Sequence, residues 1–375
     1  MVPMRFRKDW RSPMKVLLLR GNPRKTGYTQ RFIDLFLEGL REAKAEVVDV
    51  DLSARSILPC LGCYHCWLVT PGQCTHPDDM GELLEHVLAA DVLVCATPLY
   101  FYSMSSAMKV FIERLLPLTK QGFVKTARGL TRNSTRYPER WQGKTLISII
   151  VGALKDPETY RPANEMFQLI ADGLGLELGG QLTRSESYLT DYPLSKPKTL
   201  RTIEAAFVEA GREAGTRGRL TQKTMSAAAL PLASDLEHFR TYANIYWAQA
   251  EKLGAAALTP AEVQSRVALD VRILMREMVR TFDARAAARI KAVLQFEFPD
   301  QNLHFRVHLD RGRCELTEGT IERPDLRIRC AAPVWAGIFT RQIEVREALK
   351  DRRLALEGDK ALFARLGRYF PRPSA

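Results

Sequence analysis

Residues 14–40 read MKVLLLRGNPRKTGYTQRFIDLFLEGL. The first eight of them, MKVLLLRG, are an apolar run of strand type that ends in Gly21. From 29 to 43, Phe32, Ile33, Phe36, Leu37 and Leu40 recur at helical spacing. Between the two lies GNPRKTGYT, residues 21–29, a turn rich in Gly, Asn and Thr at the start of a helix. Such a turn aims unpaired backbone N–H groups and the positive end of the helix dipole at one point, which is a natural place for a phosphate. Its glycines are spaced for neither G-x-G-x-x-G nor a P-loop, and an ordinary tight turn would read the same way.

The pattern continues outward from this unit. EVVDVDL (46–52) is the next strand, 80–89 a helix, DVLVCATPLY (91–100) a strand and 105–116 a helix. KTLISIIVG (144–152) is a fourth strand, 162–174 a helix and 176–183 a fifth strand. Short apolar runs alternating with helices mark a parallel sheet covered on both faces. The expected fold is therefore α/β, a flavodoxin-like doubly wound five-stranded parallel sheet over residues 14–190. Residues 120–141 interrupt the rhythm with Arg128, Arg132, Arg136 and Arg140, and read as a solvated excursion or as a lid over an anionic group. Residues 191–262 are Ala-rich, with Pro193, Pro197 and Pro231 as turn signals, and read as a helical connector. Residues 263–375 change pattern. An amphipathic helix over 263–282 continues as helix 284–293 into strand-like runs at 294–298, 303–309, 313–318 and 325–330, with later helices at 332–339 and 360–369. This is a smaller α+β domain.

The chain has 375 residues, too many for one ordinary core. Its longest apolar runs, 92–101 and 146–154, are about half the roughly 18 residues a spanning helix needs, so no transmembrane segment is expected. The first thirteen residues lack the apolar core of a secretory signal, and a cytoplasmic location is expected. The net charge of +12 is uneven: 24 basic against 20 acidic residues over 1–190, 9 against 8 over 191–262, and 22 against 15 over 263–375. The excess is diluted by acids and forms no compact basic run, so no nucleic acid partner is expected.

Four of the seven cysteines are crowded together as Cys60, Cys63, Cys66 and Cys74, spaced C-x2-C-x2-C-x7-C. That is not a secreted disulfide framework. Repeated two-residue gaps let a tight loop point thiolates inward around a 4Fe-4S cluster, whereas structural zinc sites usually split into separated pairs. Free buried or redox thiols are the third reading. Cys95, Cys314 and Cys330 fall in strand patterns as inert core residues, and His65 reads as a lone exposed histidine. TPLYFYSMS (97–105) follows the third strand. In an open α/β sheet its place is beside the 21–29 loop, where Pro98, Leu99, Tyr100 and Phe101 can present backbone N–H groups and ring edges to a flat ligand, and Ser103 and Ser105 can cap the next helix. Core and rim aromatics are the competing reading.

The order GNPRKTGYT, LPCLGCYHC, HPDDM, ATPLYFYSMSSAMKVFIER is similar to the NADPH-dependent FMN reductase and iron-sulfur flavoprotein group of the flavodoxin-like superfamily, over about residues 14–190. The resemblance implies FMN as cofactor. Asn22, Arg24, Thr26, Gly27 and Thr29 would surround its phosphate, Pro98, Leu99, Tyr100 and Phe101 would lie along its ring, and Gly152 and Ala153 would form a third facing loop. Asn22 stands where the group usually has Ser, and Tyr28 where it has Asn; Asn22 is still expected to donate to phosphate. The resemblance also implies NAD(P)H as co-substrate, or a ferredoxin donor, a small or hydrophobic acceptor such as a quinone, and a homo-oligomer. An electron or lipid carrier without NAD(P)H turnover is the alternative. Residues 271–370 resemble a sterol carrier protein-like lipid-binding domain, through Asp310 and Gly312, Pro324 and Asp325, Trp335 and the LALEGD run at 354–359. That implies an apolar tunnel for a hydrophobic ligand, with a filled core serving docking or dimerisation as the other reading.

Overall fold

The computed structural model describes residues 12–371, apart from 127, 192–196, 234, 255–262, 264–266, 268–269 and 340–341. The chain divides into two compact units, the first comprising 1–190 with 198–232, the second 191–197 with 233–375.

The first unit runs β1 (Lys15–Arg20), α1 (Tyr28–Glu42), β2 (Glu46–Asp51), α2 (His65–Leu68), α3 (Met80–Ala89), β3 (Val92–Pro98), α4 (Ser106–Glu113), β4 (Thr119–Lys125), β5 (Thr131–Thr135), α5 (Pro138–Trp141), β6 (Thr145–Val151), α6 (Arg161–Leu174), β7 (Glu177–Arg184), α7 (Pro197–Arg217) and α8 (Gln222–Ala228). Five strands pair in parallel in the order β2-β1-β3-β6-β7, the expected doubly wound sheet. Every residue of β3 and β6 is buried, as their unbroken apolar runs require when helices cover both faces. On one face Leu17, Leu19, Leu93 and Leu146 join the core with Phe111 of α4 and Phe167 of α6. By strand alternation Val16, Leu18 and Val94 face the other way.

Residues 191–262, expected as a connector, are shared between the units. Helix α7 packs within the first unit against α1 at two facing glycines: a Cβ added at Gly211 would land on the Phe36 carbonyl, and one at Gly39 on that of Val208. Phe32 and Phe207 stack at 4.6 Å, and Arg31 reaches Glu204 at 2.6 Å. Buried Arg184 then binds the carbonyls of Ala228 (3.2 Å) and Leu230 (2.7 Å), while Glu186 accepts from the Leu232 N–H (2.8 Å). Thus the sheet's last strand holds the chain as far as Leu232. The parts of the connector at 192–196 and 255–262 lie outside the described residues. Residues 120–141 are solvent-facing along β4 and form an antiparallel β4–β5 hairpin with a bulge between Lys120 and Phe123.

The second unit contains α9 (Leu236–Leu253), α10 (Val271–Arg280), β8 (Lys291–Phe298), β9 (Leu303–Asp310), β10 (Arg313–Glu318), β11 (Leu326–Cys330), α11 (Ala332–Phe339), α12 (Val345–Lys350), β12 (Leu354–Gly358) and α13 (Lys360–Tyr369). Its sheet has the order β10-β9-β8-β11-β12, parallel only between β8 and β11. Of the helix expected over 263–282, the described regular part is α10, started by Asp270, whose carboxylate accepts from the Arg272 N–H; residues 264–266 and 268–269 lie outside the description. The expected helix 284–293 is absent. Arg311 N–H binds the Ile290 carbonyl (2.7 Å) and Gly312 N–H that of Ala287 (3.1 Å), pulling the segment onto the β9–β10 turn, and Ala292 and Val293 pair within β8. These tertiary bonds and the pairing of β8 with β9 override the helix propensity of the alanines. Among the described residues no helix is long and apolar enough to cross a membrane.

Gly211→Ala in the full chain is expected to lower unfolding free energy by about 1–3 kcal/mol through overpacking against Phe36. Denaturant unfolding checks it. An unchanged midpoint would mean that α7 does not rest on α1.

Candidate functional site

Strand order reverses between β1 and β3, so the loops leaving their carboxyl ends flank a crevice. Gly21 joins the two loops. Its N–H donates to the Ala96 carbonyl (2.8 Å), and its carbonyl accepts from Ser105 Oγ (2.6 Å). There is no space for a side chain, since a Cβ at Gly21 would lie 2.8 Å from Ser105 Oγ and 3.0 Å from the Met108 Cβ. Ser105 also caps α4 and donates its N–H to Thr97 Oγ1 (2.9 Å).

Helix α1 spans fifteen residues from Gly27, which offers no side-chain cap, and its first turn holds no acidic residue. Its N–H groups and dipole are therefore available to an anion, with Arg24 and Thr26 exposed nearby in sequence and Thr29 buried in the first turn. Asn22 does not face outward as expected. Its amide donates to the Arg24 carbonyl (2.8 Å) and to Gln30 Oε1 (3.1 Å), so both its protons hold the loop's own shape, and any phosphate contact falls to backbone N–H groups and neighbouring side chains.

In the second loop Pro98 is buried, Leu99 half-buried, and Tyr100 and Phe101 exposed, Phe101 by 97%. Tyr100 and Ser103 exchange backbone bonds (2.9 and 3.0 Å), closing a two-residue turn in which Phe101 (φ 45°) and Tyr102 (φ 66°) are both left-handed. The third loop joins through Leu99, whose N–H donates to the Val151 carbonyl (2.8 Å). A Cβ on buried Gly152 would lie 3.1 Å from that of Leu99 and 2.7 Å from the Tyr160 hydroxyl, and Ala153 beside it is exposed. The structure thus brings the three loops together.

The four cysteines line one cavity with Tyr64, His76 and Arg114. Gly62 (φ 63°) and Tyr64 (φ 56°) are left-handed, which coils the chain tightly between Cys60 and Cys66. Cys66 is buried, and burial followed by the neighbouring thiolates of Cys74, Cys60 and Cys63 pushes its thiol up. The sulfurs surround the cavity without meeting at a point: among the described residues, no three His, Cys, Asp or Glu side chains are arranged to hold a metal ion. His65 is exposed, as expected. Burial raises the Cys95 and Cys330 thiols to about 12 and Cys314 to about 11, which leaves them inert.

Residues 14–159 match the family model of NADPH-dependent FMN reductase, and 277–371 that of the SCP-2 sterol transfer family. An iron-sulfur flavoprotein of Methanosarcina thermophila is 30% identical over 139 residues, which cover 36% of this chain and 71% of the relative. The chain belongs to the iron-sulfur flavoprotein family. An iron-sulfur flavoprotein of Archaeoglobus fulgidus is 36% identical over 104 residues, covering 28% of this chain and 46% of the relative. The chain spans about half the length of the first curated relatives it matches. A solved FMN-dependent NADH-azoreductase from Bacillus anthracis is 14% identical with a TM-score of 0.42, covering 54% of this chain and 99% of that one.

Within this family member, the residues that sequence reasoning missed are those holding the cysteine loop. Arg114, just after α4, and Asp78 form a fully buried pair (Nη1–Oδ2 2.6 Å, Nη2–Oδ1 3.0 Å), 1% and 2% exposed. The same carboxylate accepts the N–H groups of Leu58 (2.9 Å) and Met80 (3.2 Å), and Arg114 Nη1 also binds the Leu58 carbonyl (2.6 Å). Both ends of the loop are clamped at one point. Arg136, grouped above with the excursion, binds the carbonyls of Cys66 (3.2 Å), Pro117 (3.0 Å) and Thr119 (3.2 Å). The sequence signals were HPDDM and the final ER of the ring-loop motif, whose pairing across thirty-six positions spacing alone does not reveal. In the second unit, where a tunnel or a filled core was expected, Leu294, Phe296, Phe298, Val307 and Trp335 pack together, and a groove of about 490 Å³ is lined by Arg272, Arg276, Arg280 and His238 as well as Phe305 and Leu316.

Burial raises the Asp78 pKa, but the bonds from Arg114 and from the Leu58 and Met80 N–H groups outweigh it and hold the carboxyl below its ordinary value. The stability this supplies is complete above the unfolded carboxylate pKa of about 3.9, and is lost as pH falls through the lower folded value. Trp67, whose Nε1 binds the Leu116 carbonyl (3.1 Å), reports the loop. The part of tryptophan fluorescence that Trp67→Phe removes should hold steady down to about pH 4 and change only below it. A change centred above pH 5 would refute the clamp.

Proposed function

We propose that this protein is an FMN-dependent oxidoreductase that takes electrons from NAD(P)H, or from a ferredoxin, and delivers them to a small or hydrophobic acceptor such as a quinone. The observation that carries the reading is the junction at Gly21, which sets an uncapped helix N-terminus beside a ring-edge turn at the topological switch point. FMN, when bound, supplies the electron-accepting chemistry, so the protein needs only to hold and orient it. Arg24, Thr26, Thr29 and the α1 N–H groups would take the phosphate; Pro98 to Phe101, with Gly152 and Ala153, would line the ring. Cys60, Cys63, Cys66 and Cys74 would hold a 4Fe-4S cluster, which supplies one-electron storage; four thiols on one cavity support this. The exposed Phe101 and its neighbours Tyr100 and Tyr102 favour a second copy of the chain as cover for the ring loop. The family match of residues 277–371 supports a hydrophobic ligand for the second unit.

Anaerobic mixing with NADPH should bleach the flavin absorbance of the purified protein quickly; an unchanged spectrum would favour a carrier without NAD(P)H turnover. Replacing Arg24 and Thr29 together by Ala should weaken FMN by about 1.5–3 kcal/mol for each charge-assisted bond lost. Unchanged flavin affinity in that variant would refute the phosphate assignment. Anaerobically purified protein should carry about four irons per chain, and Cys63→Ser should abolish them. Iron-free protein with full NADPH activity would leave the cysteines as thiols.

A further inference from the structure

Arg114 satisfies more than the loop clamp. Its two terminal nitrogens are committed to Asp78 and to the Leu58 carbonyl, yet its Nε–H, on a side chain 1% exposed, has no acceptor. Leaving a buried charged donor unpaired is costly, so such an atom marks a partner that binds. Arg114 lines the same cavity as the four cysteines. Of those cysteines, Cys74 is the one whose charge acts on the guanidinium. Arg136, which also braces the cysteine loop, directs its Nε and Nη2 to backbone carbonyls.

We propose that Arg114 is the positioning and charge-setting residue of the cysteine site, donating its Nε–H to the Cys74 sulfur when that sulfur ligates an iron-sulfur cluster and raising the cluster's reduction potential. The inference rests on the reading that the quartet holds a cluster. Reduction adds one electron to the cluster; Arg114 keeps its proton and its charge throughout. A fixed positive charge and an N–H···S bond both favour the more negative reduced form, which moves the potential upward. Asp78 opposes this, because its carboxylate neutralises part of the guanidinium charge.

The test is the cluster midpoint potential of the full-length, cluster-loaded protein, followed by low-temperature EPR, with iron and FMN content measured alongside. Arg114→Gln should lower the potential, and Arg114→Lys, which keeps the charge but loses Nε–H, should lower it less. Asp78→Asn should raise it. Opposite shifts on the two sides of one ion pair are what a merely structural clamp would not produce, because loosening the loop from either side would act in the same direction. Equal potentials, or shifts of the same sign, overturn the proposal. Wild-type protein without iron after anaerobic reconstitution overturns the cluster reading itself, and the iron assay tells that failure apart. Should the variants not fold, the wild-type protein decides: with ¹⁵N-labelled arginine, pulsed EPR of the reduced cluster should show a guanidinium ¹⁵N coupling, and its absence overturns the proposal.

Discussion

The carbonyl oxygen of Gly21 accepts the Ser105 hydroxyl at 2.6 Å, and the first unit's chemistry is arranged around that bond. It joins the end of β1 to the start of α4 across the point where the strand order reverses. A side chain at position 21 would drive the two loops apart, so the close approach requires glycine. From Ser105 the eight residues of α4 run about 12 Å and deliver Arg114 to the cysteine loop. One short helix therefore fixes both the ring-edge turn at its beginning and the thiol cavity at its end.

Much of this was legible in the sequence, for reasons that differ by element. β1, β3 and β6 announce themselves because strands buried on both faces are predominantly apolar. The glycine-rich turn and the cysteine spacing are local, so their loops were legible too. Helix α7 was legible as part of a helical connector, but its packing on α1 was not, although Ile203, Phe207, Ala210 and Ala214 recur on one face and are buried. Small residues read as a linker, while their actual use is to let α7 lie backbone to backbone on α1. The alanines at 284–288 misled in the opposite direction, since their helix propensity yields to the bonds that Arg311 and Gly312 make to the Ile290 and Ala287 carbonyls. The outward role expected of Asn22 failed because an asparagine amide can satisfy its own loop as readily as a ligand.

Part of the positive charge of residues 263–375 is held in local pairs. Arg272 holds Asp270 at 2.7 Å, Arg280 holds buried Glu277 at 2.6 Å, and Arg327 holds Glu297 at 2.5 Å. His238 meets the same Glu277 at 3.0 Å, and hydrogen bonds and charges from His238 and Arg280 outweigh its burial and lower its pKa. These pairs leave the excess of basic residues over 263–375, 22 against 15, in place. The second unit also carries a groove of mixed character, in which Phe305 and Leu316 lie among arginines and the carboxylates of Asp235, Glu237 and Glu318.

The ring-edge turn carries strain that its own unit does not offset. Left-handed backbone costs a non-glycine residue roughly 1–2 kcal/mol, and two-residue turns of this hand ordinarily recruit Asn-Gly. Here the positions are Phe101 and Tyr102. Their side chains are exposed, so burial within the unit returns little for the strain, and two backbone bonds between Tyr100 and Ser103 would form as well around Asn-Gly. Aromatic side chains in such a turn make physical sense if they are covered by something the isolated chain does not contain, a flat ring or a second copy. Backbone strain held in place at a crevice is a common property of binding sites. It is the turn's shape, more than its composition, that argues for a ligand there.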